Sequence, residues 1–351
     1  MAVSGVAVSA AAELSSSDRG VQDNGNDGDA VPDVPVDGGP GSGVVAEPAD
    51  RLDFDALWDY DHPAETEARF RELLAQSDPT EESYRLQLET QIARSLGLQQ
   101  LFSEAHEVLD EVDRAVATSP ADLRLVRVRS LLERGRAFNS AGSADQARVP
   151  FERAWDLARE IGADGYAVDA AHMMAIVETG EDAVPWFERG VALAEASTDS
   201  TARRWLGPLY NNLGWTFHDA GDYDRALVVF ERSLAWREAR KDTVETRIAK
   251  WCVGRCLRSL GRLDEALSLQ RALSRELEAA GAEDGYVDEE LGECLLALGR
   301  PAEAAPRFAR AYVLLSQDLW LVRDEPARLA RLRELSGVAA DSTRPHLGAP
   351  H

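Results

Sequence analysis

Lysine is almost missing from this chain: of its 38 basic residues only Lys241 and Lys250 are lysines, the rest being arginines. Basic residues as a class are outnumbered by 62 acids, leaving a net charge of −24. A duplex nucleic acid or an anionic membrane therefore finds no complementary surface, and neither is expected as a partner. Cysteine is scarce and odd in number, with Cys252, Cys256 and Cys294 alone, which excludes a disulfide framework and fits a reducing compartment. No run approaches the roughly 18 uninterrupted apolar residues of a membrane span. Nor does any Lys or Arg precede Arg19, so the charged start of a secretory signal is missing and a cytoplasmic location is expected. The scarcity of lysine, with abundant Ala, Gly and Leu, suggests a bacterial, high-GC source.

Chemistry-bearing constellations are also lacking. His62, His106, His172, His218, His346 and His351 are scattered, with no Ser-His-Asp, Cys-His or His-x-x-x-His spacing. Asp23 to Asp29 resembles a calcium loop, but Gly25 stands where a ligand is required and Val34 where the closing Glu belongs. Cys252 and Cys256 share a helix face, but Cys256 and Cys294 each fall two residues after a small glycine, where Ala137 and Thr216 stand elsewhere. That register asks for a small packing residue rather than a metal ligand. The reading is therefore a non-enzymatic chain without metal or cofactor.

What is present is helix. Residues 1–50 hold nine acids against Arg19 with no aromatic, a composition expected to form a disordered acidic tail. From Phe54 to about Leu335 apolar residues recur at three and four spacing, with breaks at Gly, Pro or polar clusters. Residues 336–351 return to a loose, disordered tail. The fold class is thus all-α, with residues 51–335 as one helical region.

That region repeats itself. Ala105, Ala147, Ala183, Ala226, Ala266 and Ala304 are separated by 42, 36, 43, 40 and 38 residues. Four residues after each stand Leu109, Phe151, Phe187, Phe230, Gln270 and Phe308. Twelve before stand the small residues Ala93, Gly135, Ala171, Gly214, Gly254 and Gly292, which mark a second helix where a neighbour must come close. Between the two helices Gly142, Gly221, Gly261 and Gly299 supply a tight C-cap, making each unit a helical hairpin. Gln100 replaces that glycine in the first unit, and Gly180 lies nearer its alanine in the third. Pro150, Pro185 and Pro306 fall soon after the repeat alanine, too deep for a first turn, and are expected to bend their helices.

Tyr210, Leu213, Gly214, Phe217, Gly221, Tyr223, Ala226 and Phe230 resemble a tetratricopeptide repeat, and the other units match to varying degree over roughly residues 83–317. The resemblance implies a right-handed α-solenoid of about six helix-hairpin repeats, capped by Phe54–Gln76 and by a final helix, Leu319–Leu335. It also implies a concave groove lined by the first helices, in which a peptide or a partner's helix binds.

The residue after each small residue is expected to face that groove: Arg94, Arg136, His172, Trp215, Arg255 and Glu293. Asn212 falls where the family's chaperone-binding branch places a carboxylate-clamp residue, but Cys252 stands where a basic residue would follow. Arg94, Arg136, His172, Asn212, Trp215 and Arg255 are the candidate peptide-binding set, suited to an acidic or aromatic segment. The alternative for the arginines is pairing with acids such as Glu89 and Glu133 within the chain. Two functions follow: a protein-protein interaction scaffold or adaptor, or a ligand- or peptide-responsive regulator of a separate effector.

Overall fold

The computed structural model describes residues 54–337. The tail expected at 1–50 and nearly all of that expected at 336–351 lie outside them. The described residues are helical, without a strand among them. They divide into two compact units, one ending at Met173 and the other beginning at Met174.

The N-terminal unit opens with a short 3-10 turn, Phe54–Leu57, and helix α1, Pro63–Gln76. Two hairpins follow, α2 (Glu82–Leu98) with α3 (Phe102–Thr118) and α4 (Arg124–Ser140) with α5 (Ala144–Glu160), then α6 (Asp164–Val177), which carries the division. The capping role expected of Phe54–Gln76 has a physical basis here. Phe70 of α1 is fully buried against Leu88, Ile92 and Leu96, with Phe54 and Trp58 closing over the same cluster.

In the C-terminal unit a second 3-10 turn, Gly180–Ala183, leads into α7 (Val184–Ala196), followed by the short α8 (Ser200–Arg204). Then come α9 (Leu206–Asp219) with α10 (Tyr223–Arg240), α11 (Thr243–Ser259) with α12 (Leu263–Ala279), and α13 (Gly285–Ala297) with α14 (Pro301–Leu315). The final helix is two pieces, α15 (Leu319–Asp324) and α16 (Pro326–Leu335), not the single Leu319–Leu335 expected. Pro326 is the cause: it disfavours a helical Glu325, which takes φ −126° and ψ 46°.

The glycines at the small-residue position of the first helices do what their register implied. A Cβ on Gly214 would lie 2.4 Å from the Phe230 ring, and one on Gly135 equally close to Phe151. The large residue of the second helix thus sits directly on the backbone of the first. In the α2–α3 turn Gln100 takes the glycine's place and its left-handed conformation, at φ +64°. Pro150 and Pro306 lie inside α5 and α14. Pro185 does not: α7 begins at Val184, so the proline occupies the first turn, where its missing N–H has no helical acceptor to lose. The expectation that it bends its helix is therefore withdrawn.

Candidate functional site

The candidate residues lie on first helices, and each unit presents its own set. In the N-terminal unit, Arg136 of α4 is engaged by two carboxylates. Its Nη1 donates to Glu133 Oε1 at 2.8 Å, and its Nη2 donates to both oxygens of Asp169 on α6 at 2.6 and 2.7 Å. Arg94 of α2 reaches the same Glu133 oxygen at 3.5 Å, lies over the Trp58 and Tyr60 rings at 5.4 and 5.6 Å, and donates to the Tyr60 hydroxyl. The structure thus joins Arg94 and Arg136 through one buried carboxylate. In such a dry site the charges hold one another tightly, and taking away one partner is costly. His172 is buried in the same unit.

In the C-terminal unit Asn212 and Trp215 of α9 are both buried, the tryptophan only 5% exposed. Trp215 packs on Phe230, with ring centroids 5.1 Å apart, and on Trp251 at 5.9 Å. It is a core residue here and does not present its indole to a partner. Its neighbour Trp251, on α11, is only partly buried; its Nε1 donates to the Tyr286 carbonyl on α13 at 3.1 Å. Three residues before the small Gly254, Trp251 escapes a register search that looks one residue after it. Its four-residue spacing from Arg255 was the available signal.

Arg255 is held loosely. Its Nη1 lies 3.6 Å from Glu290 of α13, a carboxylate already bonded by both the Nε and Nη2 of Arg258. Burial pushes the Glu290 carboxyl above the usual carboxylate range, against the pull of Arg258. Arg247, four residues before Trp251, is half-buried and forms no ion pair among the described residues. Arg247, Trp251 and Arg255 therefore make a cation-indole-cation stripe on one face of α11. Glu293, the last residue in the predicted row, is paired with Arg331 of α16.

Two other features bear on chemistry. Burial pushes the Cys256 thiol up to about 11 and the Cys294 thiol to about 12, so both stay protonated at neutral pH and are poor nucleophiles or ligands. Among the described residues no group of three or more His, Cys, Asp or Glu is placed to hold a metal ion, and no helix is long and apolar enough to cross a membrane. Between α7 and α10 lies a cleft of about 470 Å³, floored by Leu213 and Phe217 and bracketed by the pairs Glu188–Arg225 and Glu195–Arg232. Val191, Ala192, Val228 and Val229 complete its apolar lining.

The model of the tetratricopeptide repeat family matches residues 209–239, the α9–α10 hairpin. No curated protein matches the chain in sequence. Among solved structures, the apo form of RapI superposes with a TM-score of 0.65 at 12% identity, covering 81% of this chain and 79% of that one. A signal-transduction ATPase with a tetratricopeptide repeat sensor, from Pyrococcus horikoshii, gives 0.62 at 13% identity, over 79% of this chain and 44% of that one. BtubC from P. vanneervenii gives 0.52 at 15% identity, over 67% and 94%. These likenesses, at such low identity, establish the fold. The chain carries a tetratricopeptide repeat and folds as a tandem array of tetratricopeptide-like helical hairpins.

Proposed function

We propose that the chain is a non-enzymatic interaction module that grips an acidic, aromatic-containing segment of a partner protein on the first-helix face of its C-terminal unit. The carrying observation is the α11 stripe. Arg255 has only a 3.6 Å contact to a carboxylate that Arg258 already occupies, and Trp251 stands between it and Arg247. A guanidinium so placed is free to take a partner's carboxylate bidentately, and the partly buried indole offers rigid contact area at small entropic cost. Arg94 and Arg136 are left out of this reading because their charge is already matched within the chain.

The experiment is a selection from a displayed peptide library against the full chain, repeated with Arg247→Glu/Arg255→Glu. Enrichment of acidic sequences with an aromatic residue, lost in the double variant, is the expected result. Enrichment that survives the charge reversals unchanged contradicts the assignment.

A further inference from the structure

Eleven residues after the repeat alanine the second helices carry Val116, Ala158, Ala194, Leu277 and Leu315, all apolar. The α9–α10 hairpin departs from this with Arg237, and the arginine is no more exposed than its apolar counterpart Leu277, each at 8%. Its place in the hairpin matches theirs. A Cβ on Gly285 would meet the Leu315 side chain, and a Cβ on Gly207, in the same position of its own hairpin, would lie 3.2 Å from the Trp236 ring and 3.5 Å from Arg237 Nη2. A guanidinium thus occupies a position that the sister hairpins fill with an apolar side chain.

It has no counter-charge there. Arg237 forms no side-chain hydrogen bond, ion pair or ring contact among the described residues, and its Nε is wholly buried without a partner. Asp242, just past the helix end, is taken by Arg240 at 2.9 Å. The contrast with Arg129, also deeply buried, is instructive: Arg129 donates to the Tyr166 hydroxyl at 2.6 Å and lies over the Phe54 ring. The carbonyl end of α10 favours a cation at Arg237, while at Gly207 the amino end of α9 adjoins the carbonyl end of α8 through the helical Trp205, so those two ends largely cancel. A helix end supplies less than a full counter-charge, and an unpaired buried charge remains costly.

We propose that Arg237, where it packs against Gly207 of α9, forms a binding site for a small oxyanion, a carboxylate or phosphate group. The site needs no contribution from the α11 stripe. An anion placed there completes the guanidinium's hydrogen bonding.

The test is thermal unfolding of the full chain titrated with inorganic phosphate, and separately with acetate, each against chloride at matched ionic strength. Wild type is expected to show a saturable rise of about 3 °C at ten times the dissociation constant. Arg237→Leu, which restores the residue type of the sister hairpins, is expected to fold and to lose that rise. Arg275→Leu, removing an exposed arginine of α12, is expected to keep it. The anion that saturates at lower concentration identifies the ligand's headgroup. No saturable rise in wild type, or an equal rise in Arg237→Leu, overturns the proposal.

Discussion

Arg136 and Arg255 stand at the same place in their repeats, one residue past the glycine on which the second helix rests. In the N-terminal unit Arg136 is closed off by Glu133, three residues earlier on its own helix, and by Asp169 on the next first helix. In the C-terminal unit the residue three before Arg255 is Cys252, and the acid on the next first helix, Glu290, is bonded by Arg258. One register position therefore yields a structural lock in one unit and an available cation in the other. The difference lies in the supply of carboxylates around the arginine, not in the arginine itself.

The largest effect that can break this comparison is on stability. Arg136→Ala deprives Asp169 of its arginine and leaves Glu133 only the longer contact to Arg94, and is expected to cost about 3 kcal/mol in urea unfolding. Arg255→Ala, which gives up one long contact, is expected to cost less than about 1 kcal/mol. Equal costs would erase the distinction between lock and available cation.

A second test compares the packing beneath the two arginines. Gly135→Ala drives a methyl into the Phe151 ring at 2.4 Å, an overpacking expected to cost about 2 kcal/mol. At Gly254 the facing atom is the amide nitrogen at the end of Gln270, which can turn aside more readily than a ring. Gly254→Ala is therefore expected to cost about half as much in the same measurement.

The smallest effect is on pH dependence, and it belongs to the C-terminal unit, which holds every cysteine. Unfolded thiols release their protons from about pH 9, whereas folded Cys256 and Cys294 hold theirs to about 11 and 12. The folded state thus binds more protons across that window, and stability falls as pH rises through it. Melting temperatures taken between pH 8 and pH 10.5 are expected to decline less in Cys256→Ala/Cys294→Ala than in wild type.

The fold was legible because its signals are short-range and repeated. A tiny residue, a turn glycine and a large apolar residue at fixed offsets specify a hairpin each time they recur, and Gln100 shows the turn geometry outlasting the loss of its glycine. Pro185 and Pro326 were harder, because their effect depends on where a helix begins, a boundary the apolar period leaves loose by a few residues. The site was legible only in part. Register put the arginines on first helices correctly, but it carries no information about which acids reach them from the next helix, nor that Trp215 lies beneath Trp251. Those facts depend on long-range packing. The one local clue was Glu133 against Cys252 at the same offset, a difference visible in the sequence.

The central claim is that the α11 stripe, and not the locked arginines of the N-terminal unit, holds the partner. Its most direct test is calorimetric titration of a library-selected acidic peptide into wild type, Arg255→Glu and Arg114→Glu, the last an exposed N-terminal-unit control of equal charge change. At least a tenfold weakening in Arg255→Glu, about 1.4 kcal/mol, with Arg114→Glu near wild type, is the predicted result. Equal affinity in wild type and Arg255→Glu, or equal weakening in both variants, would contradict it.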